Sequence, residues 1–251
     1  MLGLKKILLV IVIGGIGGIL ATAVLLPFLA RANLLGTGSF FYKLVGKPET
    51  VINRVERETI IIPQSDYFSE AIKKIGSSVV AVQSFSGGRL MHSGSGIILT
   101  RDGLIITLNS LVPANAEIIQ VTGGGKIYKA KVVSRDYAKN VALISVAEPN
   151  FQVAKLKPDL PSLGRELLVF SKLVNFGKEI SFVEKATVSR VDESGGTFEI
   201  SALYDNRLYG SALVDGEGAV LAIVDFKNQK PVVLSSKFIS DFLNTYLASQ
   251  P

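Results

Sequence analysis

Hydrophobic and polar positions divide the chain into three regions with different patterns. The first is an apolar run without any charged residue, from Ile7 to Ala30. The second, residues 31–65, mixes glycine, proline and charged residues without a sustained period, as is typical of a linker. From residue 66 onward, short apolar runs alternate with turn-forming residues. The pattern predicts an apolar anchor, a linker and one globular domain.

The apolar run is long enough to cross a membrane. Its 24 residues would extend through a hydrocarbon core as a helix, because an α-helix rises about 1.5 Å per residue. Lys5 and Lys6 precede the run and favour a cytoplasmic N-terminus, whereas Arg31 directly after it counts against that orientation. The alternative is a cleaved signal peptide, because small-residue cleavage patterns occur at 21–23 and 30–32. Either interpretation exports the domain that follows.

These features predict a single-pass membrane protein with an extracytoplasmic globular domain, in a periplasmic or extracellular location. Contact with the membrane is expected through residues 7–30. The expected organisation is a cytoplasmic N-terminus at 1–6, a transmembrane anchor at 7–30, a linker at 31–65 and the globular domain at 66–251.

The globular region is predicted to be all-β with a helix at each end. Ser65 or Asp66 can cap a short first helix, which Gly76 can end. Apolar, β-branched runs then follow one another without the strand and helix alternation that a parallel sheet requires, so we expect a sandwich or a barrel. Residues 235–249 restore helical spacing and predict a C-terminal helix that packs its apolar face on the β domain.

Composition removes several classes of function. The chain has no cysteine and one histidine, His92, so disulfides and thiolate chemistry are excluded and no metal site or cofactor is expected. The formal charge of +6 comes without the aromatic-interleaved basic stripe that would indicate a nucleic-acid partner. Aspartates in the predicted turns are expected to accept backbone hydrogen bonds; they are Asp102, Asp136, Asp205 and Asp215.

Three separated stretches carry a resemblance to a known family. They are "SGSGIILTRDGLIITLNSLV" at 93–112, "IYKAKVVSRDYAKNVALISV" at 127–146 and "NRLYGSALVDGEGAV" at 206–220. In order and spacing they resemble the trypsin-like serine proteases of the HtrA (Deg) type. The resemblance implies a double six-stranded antiparallel β-barrel, with barrels at about 78–150 and 160–236 and a cleft between them. The peptide-binding PDZ module that often follows in this family is expected to be missing.

All three positions that match the family's catalytic triad carry a different residue. Ser110 occupies the histidine position, Asn140 the aspartate position and Tyr209 the position of the nucleophilic serine. In the adjoining loop, Arg207 replaces a glycine whose amide helps to form the oxyanion hole, and Gly210 matches the next glycine. A serine peptidase needs a nucleophile, an imidazole and a carboxylate. We therefore expect no catalytic residue at these positions.

The resemblance and these substitutions together predict a pseudoprotease that acts by binding a protein or peptide in the cell envelope. The alternative is an active serine endopeptidase of the same type with a displaced constellation, in which His92 would activate Ser211. A third interpretation is a structural assembly unit, since the resemblance also implies a possible homo-oligomer, a trimer.

Overall fold

The computed structural model describes residues 3–20, 64–147, 151–194 and 196–250. The chain divides into two units at residues 59 and 60. The first contains helix α1, Leu4–Leu20, and all other described elements belong to the second. Among the described residues, no helix combines the length and the apolar character needed to span a bilayer. Residues 21–30 of the predicted anchor and 31–63 of the predicted linker lie outside the described residues.

The second unit begins with helix α2, Gln64–Gly76, and continues with a closed six-stranded barrel. The strand order around this barrel is β1-β2-β3-β6-β5-β4, and all neighbours are antiparallel. The strands are β1 Val79–Ser86, β2 Arg89–Ile98, β3 Leu104–Leu108, β4 Ile118–Gly123, β5 Lys126–Asp136 and β6 Val141–Val146. Alternating β-branched residues such as Val80, Val82 and Ile144 fill the barrel interior.

The turn before β3 shows why one glycine is required there. Gly103 has a φ of +97°, in the left-handed region, and a Cβ at this position would lie 2.3 Å from the carbonyl oxygen of Val146. Only glycine meets both conditions without strain. The amide of Val146 in turn donates to the Gly103 carbonyl at 3.1 Å, which ties the turn to β6.

A second set of six antiparallel strands follows, in the order β12-β11-β10-β7-β8-β9. The strands are β7 Glu166–Asn175, β8 Lys178–Asp192, β9 Thr197–Ser201, β10 Ser211–Val214, β11 Val220–Lys227 and β12 Lys230–Ser235. The edge strands β9 and β12 contact each other, so the sheet curls into a second barrel. Its interior includes Leu167, Phe198 and Val224.

One continuous apolar core joins the two barrels. Ile97 and Leu108 of the first barrel pack in the same cluster as Phe170 and Ile223 of the second. Helix α3, Ser236–Ala248, adds Ile239 to this cluster and begins at Ser235, whose hydroxyl accepts a hydrogen bond from the Phe238 amide. The predicted all-β double barrel with a C-terminal helix is confirmed.

Candidate functional site

The structure brings Ser110 and Asn140 into direct contact. Ser110 lies in a single 3-10 turn, Asn109–Leu111, directly after β3, and Asn140 precedes β6, the neighbouring strand. The Asn140 Oδ1 accepts a hydrogen bond from the Ser110 amide at 2.9 Å, and its Nδ2 donates to the Ser110 Oγ at 3.2 Å. Two of the three positions that match the triad are therefore joined by a neutral amide.

The backbone of Asn140 supports this arrangement. Its φ of 56° lies in the left-handed region, which asparagine tolerates better than most side chains. Its carbonyl oxygen accepts a hydrogen bond from the Asn109 amide at 3.0 Å. Both the main chain and the side chain of Asn140 are thus tied to the turn that carries Ser110.

Asp225 on β11 completes the polar cluster, and the sequence did not point to it. The Asn140 Nδ2 also donates to the Asp225 Oδ2 at 3.0 Å, and the Phe226 amide donates to the Asp225 Oδ1 at 2.7 Å. Asp225 is only 3% exposed. The available signal was an acidic residue inside the otherwise apolar run "AVLAIVDF", because a buried carboxylate needs specific partners.

Tyr209 stands between the two barrels. It follows the 3-10 turn Asn206–Leu208, is half-buried, and packs against the core that joins the barrels and against the interior of the second barrel. Its ring makes edge contacts with Tyr204 and Phe226, at centroid distances of 6.5 and 5.7 Å. Such edge-on contacts are favourable for aromatic rings. The side chain at the nucleophile position therefore serves as packing.

The surroundings of Tyr209 keep its phenol protonated. Burial raises the pKa of Tyr209 to about 12, with further contributions from a hydrogen bond with Tyr204 and from the negative charge of Asp225. A neutral phenol is a weak nucleophile, and all three effects oppose its ionisation. Neither Ser110 nor Asn140 can act as the base that would remove its proton at neutral pH.

The Arg207 amide, which by resemblance matches the family's oxyanion position, is hydrogen-bonded within its own turn, and the Arg207 side chain forms an ion pair there. The Arg207 amide donates to the Asp205 Oδ1 at 2.8 Å, and the Arg207 Nε lies 2.9 and 2.8 Å from the two carboxylate oxygens. The guanidinium also lies 4.5 Å from the centroid of the Phe182 ring. The hydrogen bond from the Arg207 side chain lowers the pKa of Asp205.

Gly210 fixes the end of this loop. Its φ is +73°, and a Cβ would lie 2.3 Å from the Ser95 carbonyl oxygen, so a side chain cannot be accommodated there. Its amide donates to the Val224 carbonyl at 2.9 Å, while the Tyr209 carbonyl accepts from the Ser95 amide at 2.9 Å. The loop is thereby attached to β2 of the first barrel and to β11 of the second.

His92 and Ser211, the displaced pair of the alternative hypothesis, occupy different environments. His92 is exposed on β2, where it lies opposite Ser84 of β1. Ser211 is fully buried, and its hydroxyl donates to the Leu208 carbonyl at 2.6 Å. Among the described residues, no group of three or more histidine, aspartate or glutamate side chains could hold a metal ion.

Comparison with known proteins identifies relatives of one type. The family model for the trypsin-like peptidase domain matches residues 94–223. Serine protease HTRA4 of Mus musculus is 28% identical over 205 residues, covering 72% of this chain and 41% of that protein. The human HTRA4 is 30% identical over 182 residues, covering 63% and 36% respectively. The chain thus spans less than half the length of these HTRA4 proteins.

A bacterial relative and a solved structure agree with this result. The serine protease Do-like HtrA of Lactococcus lactis is 23% identical over 253 residues, covering 85% of this chain and 60% of that protein. The crystal structure of the serine endoprotease from Yersinia pestis shares the fold with a TM-score of 0.63 at 20% identity, covering 72% of this chain and 67% of that one. Because the family match covers more than half of its residues, the chain belongs to the trypsin-like peptidase domain family, as a homologue of the HtrA type.

Proposed function

We propose that this HtrA-type homologue does not hydrolyse peptide bonds and acts by binding a protein or peptide partner. The observation that carries the proposal is the hydrogen-bonded set of Ser110, Asn140 and Asp225, beside the packed ring of Tyr209. Acyl transfer by a triad requires an imidazole that takes and returns a proton. In this set an asparagine amide links a serine to an aspartate, and no member can take and return a proton at neutral pH as the imidazole does.

The oxyanion position supports the same conclusion. A peptidase stabilises the developing negative charge with amides that point at it, and loss of one such donor lowers kcat by about 10²- to 10³-fold. Here the Arg207 amide donates to Asp205 at 2.8 Å. The amide would have to exchange this charged acceptor for a substrate oxygen, which makes the loop a poor oxyanion hole.

The surface next to the loop has the composition of a binding site. The side chain of Leu203 is 73% exposed and that of Tyr204 is 41% exposed. Arg207 presents an exposed guanidinium beside them. We name this surface the 203–207 patch. Tyrosine and arginine are enriched where proteins bind one another, so an extended peptide or a protein segment is the partner that the patch fits.

We further propose that the protein is held at a membrane by residues 7–30, with the β domain outside the cytoplasm. The support is the uncharged sequence from Ile7 to Ala30, preceded by Lys5 and Lys6. Anchoring would keep the binding surface in the cell envelope.

Hydrolysis is the direct test of the first proposal. The full chain is incubated with casein and with a fluorophosphonate probe, beside an active HtrA-type protease as positive control. We expect neither cleavage nor labelling. Cleavage by the wild-type protein that disappears in Ser211→Ala or His92→Ala would overturn the proposal and establish the displaced constellation.

Binding is tested with the same substrate. Fluorescence anisotropy of labelled, unfolded casein should rise as the protein is added. The double variant Tyr204→Ala with Arg207→Ala should weaken this binding by roughly tenfold or more, since aromatic and arginine side chains often contribute more than 1 kcal/mol each. Exposed Tyr137 lies on the first barrel, so Tyr137→Ala is the matched control and should bind as the wild type does. Equal binding by all three proteins would exclude the patch.

A further inference from the structure

The hairpin between β7 and β8 ends in an unusual turn. Asn175 and Lys178 form the last pair of the ladder, so the turn consists of Phe176 and Gly177 alone. Their φ angles are 46° and 74°, and both lie in the left-handed region. Two-residue hairpin turns of this kind strongly favour asparagine, aspartate or glycine at the first position. A phenylalanine there is conformationally unfavourable.

The same side chain is also almost completely exposed. Phe176 is 98% exposed, and it packs in none of the apolar clusters of the described residues. The exposed ring gains nothing from folding and the left-handed backbone opposes it, and no apolar cluster of the described residues offsets that strain. Strain that the fold does not need is a reason to look for a function.

The base of the hairpin is hydrogen-bonded to the first barrel. The Ser95 Oγ accepts from the Lys172 amide and donates to the Lys172 carbonyl, both at 3.0 Å, which fastens β7 to β2. The buried Lys172 side chain pairs with Glu179 at 2.5 Å. This pair neutralises the acidic residue nearest the turn, so exposed Lys178 supplies the charge next to Phe176.

An apolar ring with a lysine beside it suits the surface of an anionic membrane. The ring can enter the boundary between headgroups and acyl chains while the ammonium group meets the lipid phosphates. A stable protein interface buries about 1,000 Å² or more, and a two-residue tip with one ring offers far less than that.

We propose that the β7–β8 hairpin tip, residues 174–178, inserts Phe176 into the interface of an anionic membrane. The inference rests on the proposed anchoring by residues 7–30. One ring binds a membrane weakly by itself, but a chain already tethered to the bilayer makes the second contact at a high effective concentration. The contact would set which face of the β domain is turned away from the lipid.

The absence of tryptophan from the chain allows a direct measurement. Phe176→Trp places one fluorophore at the tip of the full-length protein. The protein is reconstituted into phosphatidylcholine vesicles containing phosphatidylglycerol, with and without brominated acyl chains. We expect a blue-shifted emission that the brominated lipid quenches at least twofold. Phe176→Trp combined with Lys178→Glu should reduce both effects. Tyr137→Trp, at an exposed position of the first barrel that is 71% accessible, should show neither.

The outcomes of this experiment distinguish membrane insertion of the ring from anchoring alone and from self-association. If the Phe176→Trp protein floats with the vesicles while its emission stays that of a water-exposed indole, the insertion is overturned and the anchoring is left intact. Protein that does not float would remove the anchoring and this inference with it. A blue shift that rises with protein concentration and is insensitive to brominated lipid would overturn the insertion and assign the ring to a second copy of the chain.

Discussion

The turn before β11 and the far end of β11 each hold a buried aspartate, and the two are stabilised in different ways. Asp215, in the turn before the strand, is fully buried and pairs with the Lys157 Nζ at 2.9 Å. Its Oδ1 also accepts from the Glu217 and Ala219 amides, each at 3.0 Å. Asp225, near the other end, accepts from the Asn140 Nδ2 and the Phe226 amide. No ion pair joins Asp225 to another described residue.

The difference lies in how the charge of each carboxylate is compensated. At Asp215 the charge is neutralised and the turn amides are satisfied, as a buried carboxylate requires for stability. At Asp225 the partner is the neutral side-chain amide of Asn140. By resemblance, Asn140 occupies the position at which a peptidase of this family has the carboxylate that contacts the imidazole. This arrangement, with an amide in contact with the carboxylate, is the one on which the proposed non-hydrolytic function rests.

Removal of the Asp215 carboxylate should give the largest effect. Asp215→Ala removes the nearest carboxylate from Lys157 and from Arg165 and leaves two turn amides without acceptors, so we expect a loss of about 3–5 kcal/mol in the free energy of unfolding. Urea denaturation followed by circular dichroism measures it. Asp241→Ala breaks the exposed pair with Lys237 and should cost at most about 1 kcal/mol. Equal losses in the two variants would contradict the structural role of Asp215.

A carboxylate at position 140 should be costly because Asp225 lies beside it. Asn140→Asp replaces a donor 3.0 Å from the Asp225 Oδ2 with a second negative charge, and we expect a loss of about 1–3 kcal/mol near pH 7. The loss should shrink as the pH falls, because protonation of one carboxyl removes the repulsion and restores a donor. The double variant Ser110→His with Asn140→Asp should recover part of the stability. A loss independent of pH would place Asp225 outside this interaction.

The decrease in the free energy of unfolding at low pH should depend on the protonation of Asp215. Burial raises its pKa, but the hydrogen bonds from Lys157 and the turn amides outweigh that effect, and the net pKa is lowered. A carboxyl whose folded pKa lies below the unfolded value of about 3.9 stabilises the protein above that value and loses the contribution as the pH falls through the folded one. The stability difference between the wild type and Asp215→Asn should therefore be constant above about pH 5 and shrink below about pH 4. A difference that grows in acid would contradict the lowered pKa.

The smallest expected effect concerns the hairpin turn, and its sign is opposite. Phe176→Asn relieves the left-handed strain at φ 46° and should raise the free energy of unfolding by about 1 kcal/mol. Phe176→Ala removes the ring without relieving the strain and should leave stability close to that of the wild type. Thermal unfolding of the three proteins checks this order. A lower melting temperature for Phe176→Asn would show that the ring stabilises the fold.

Local features of the fold were predictable from the sequence, whereas long-range pairings were not. The apolar runs predicted the strands, and turn aspartates accept amides as predicted at Asp136, Asp205 and Asp215. These depend on residues within a few positions. The predicted cap at Ser65 or Asp66 was wrong, because α2 already begins at Gln64. The hydrogen bond between Asn140 and Asp225 joins residues 85 positions apart. It depends on how the two barrels pack together, and the hydrophobic pattern of the sequence does not predict that packing. The triad positions were located only by resemblance.

The packing of the Tyr209 ring determines what a serine at this position would do to the protein. The ring packs against the core that joins the barrels and against the interior of the second barrel, and so connects the two. On the proposed non-hydrolytic function, Tyr209→Ser would therefore remove packing between these elements without supplying an imidazole, so a single replacement would weaken the fold and create no peptidase.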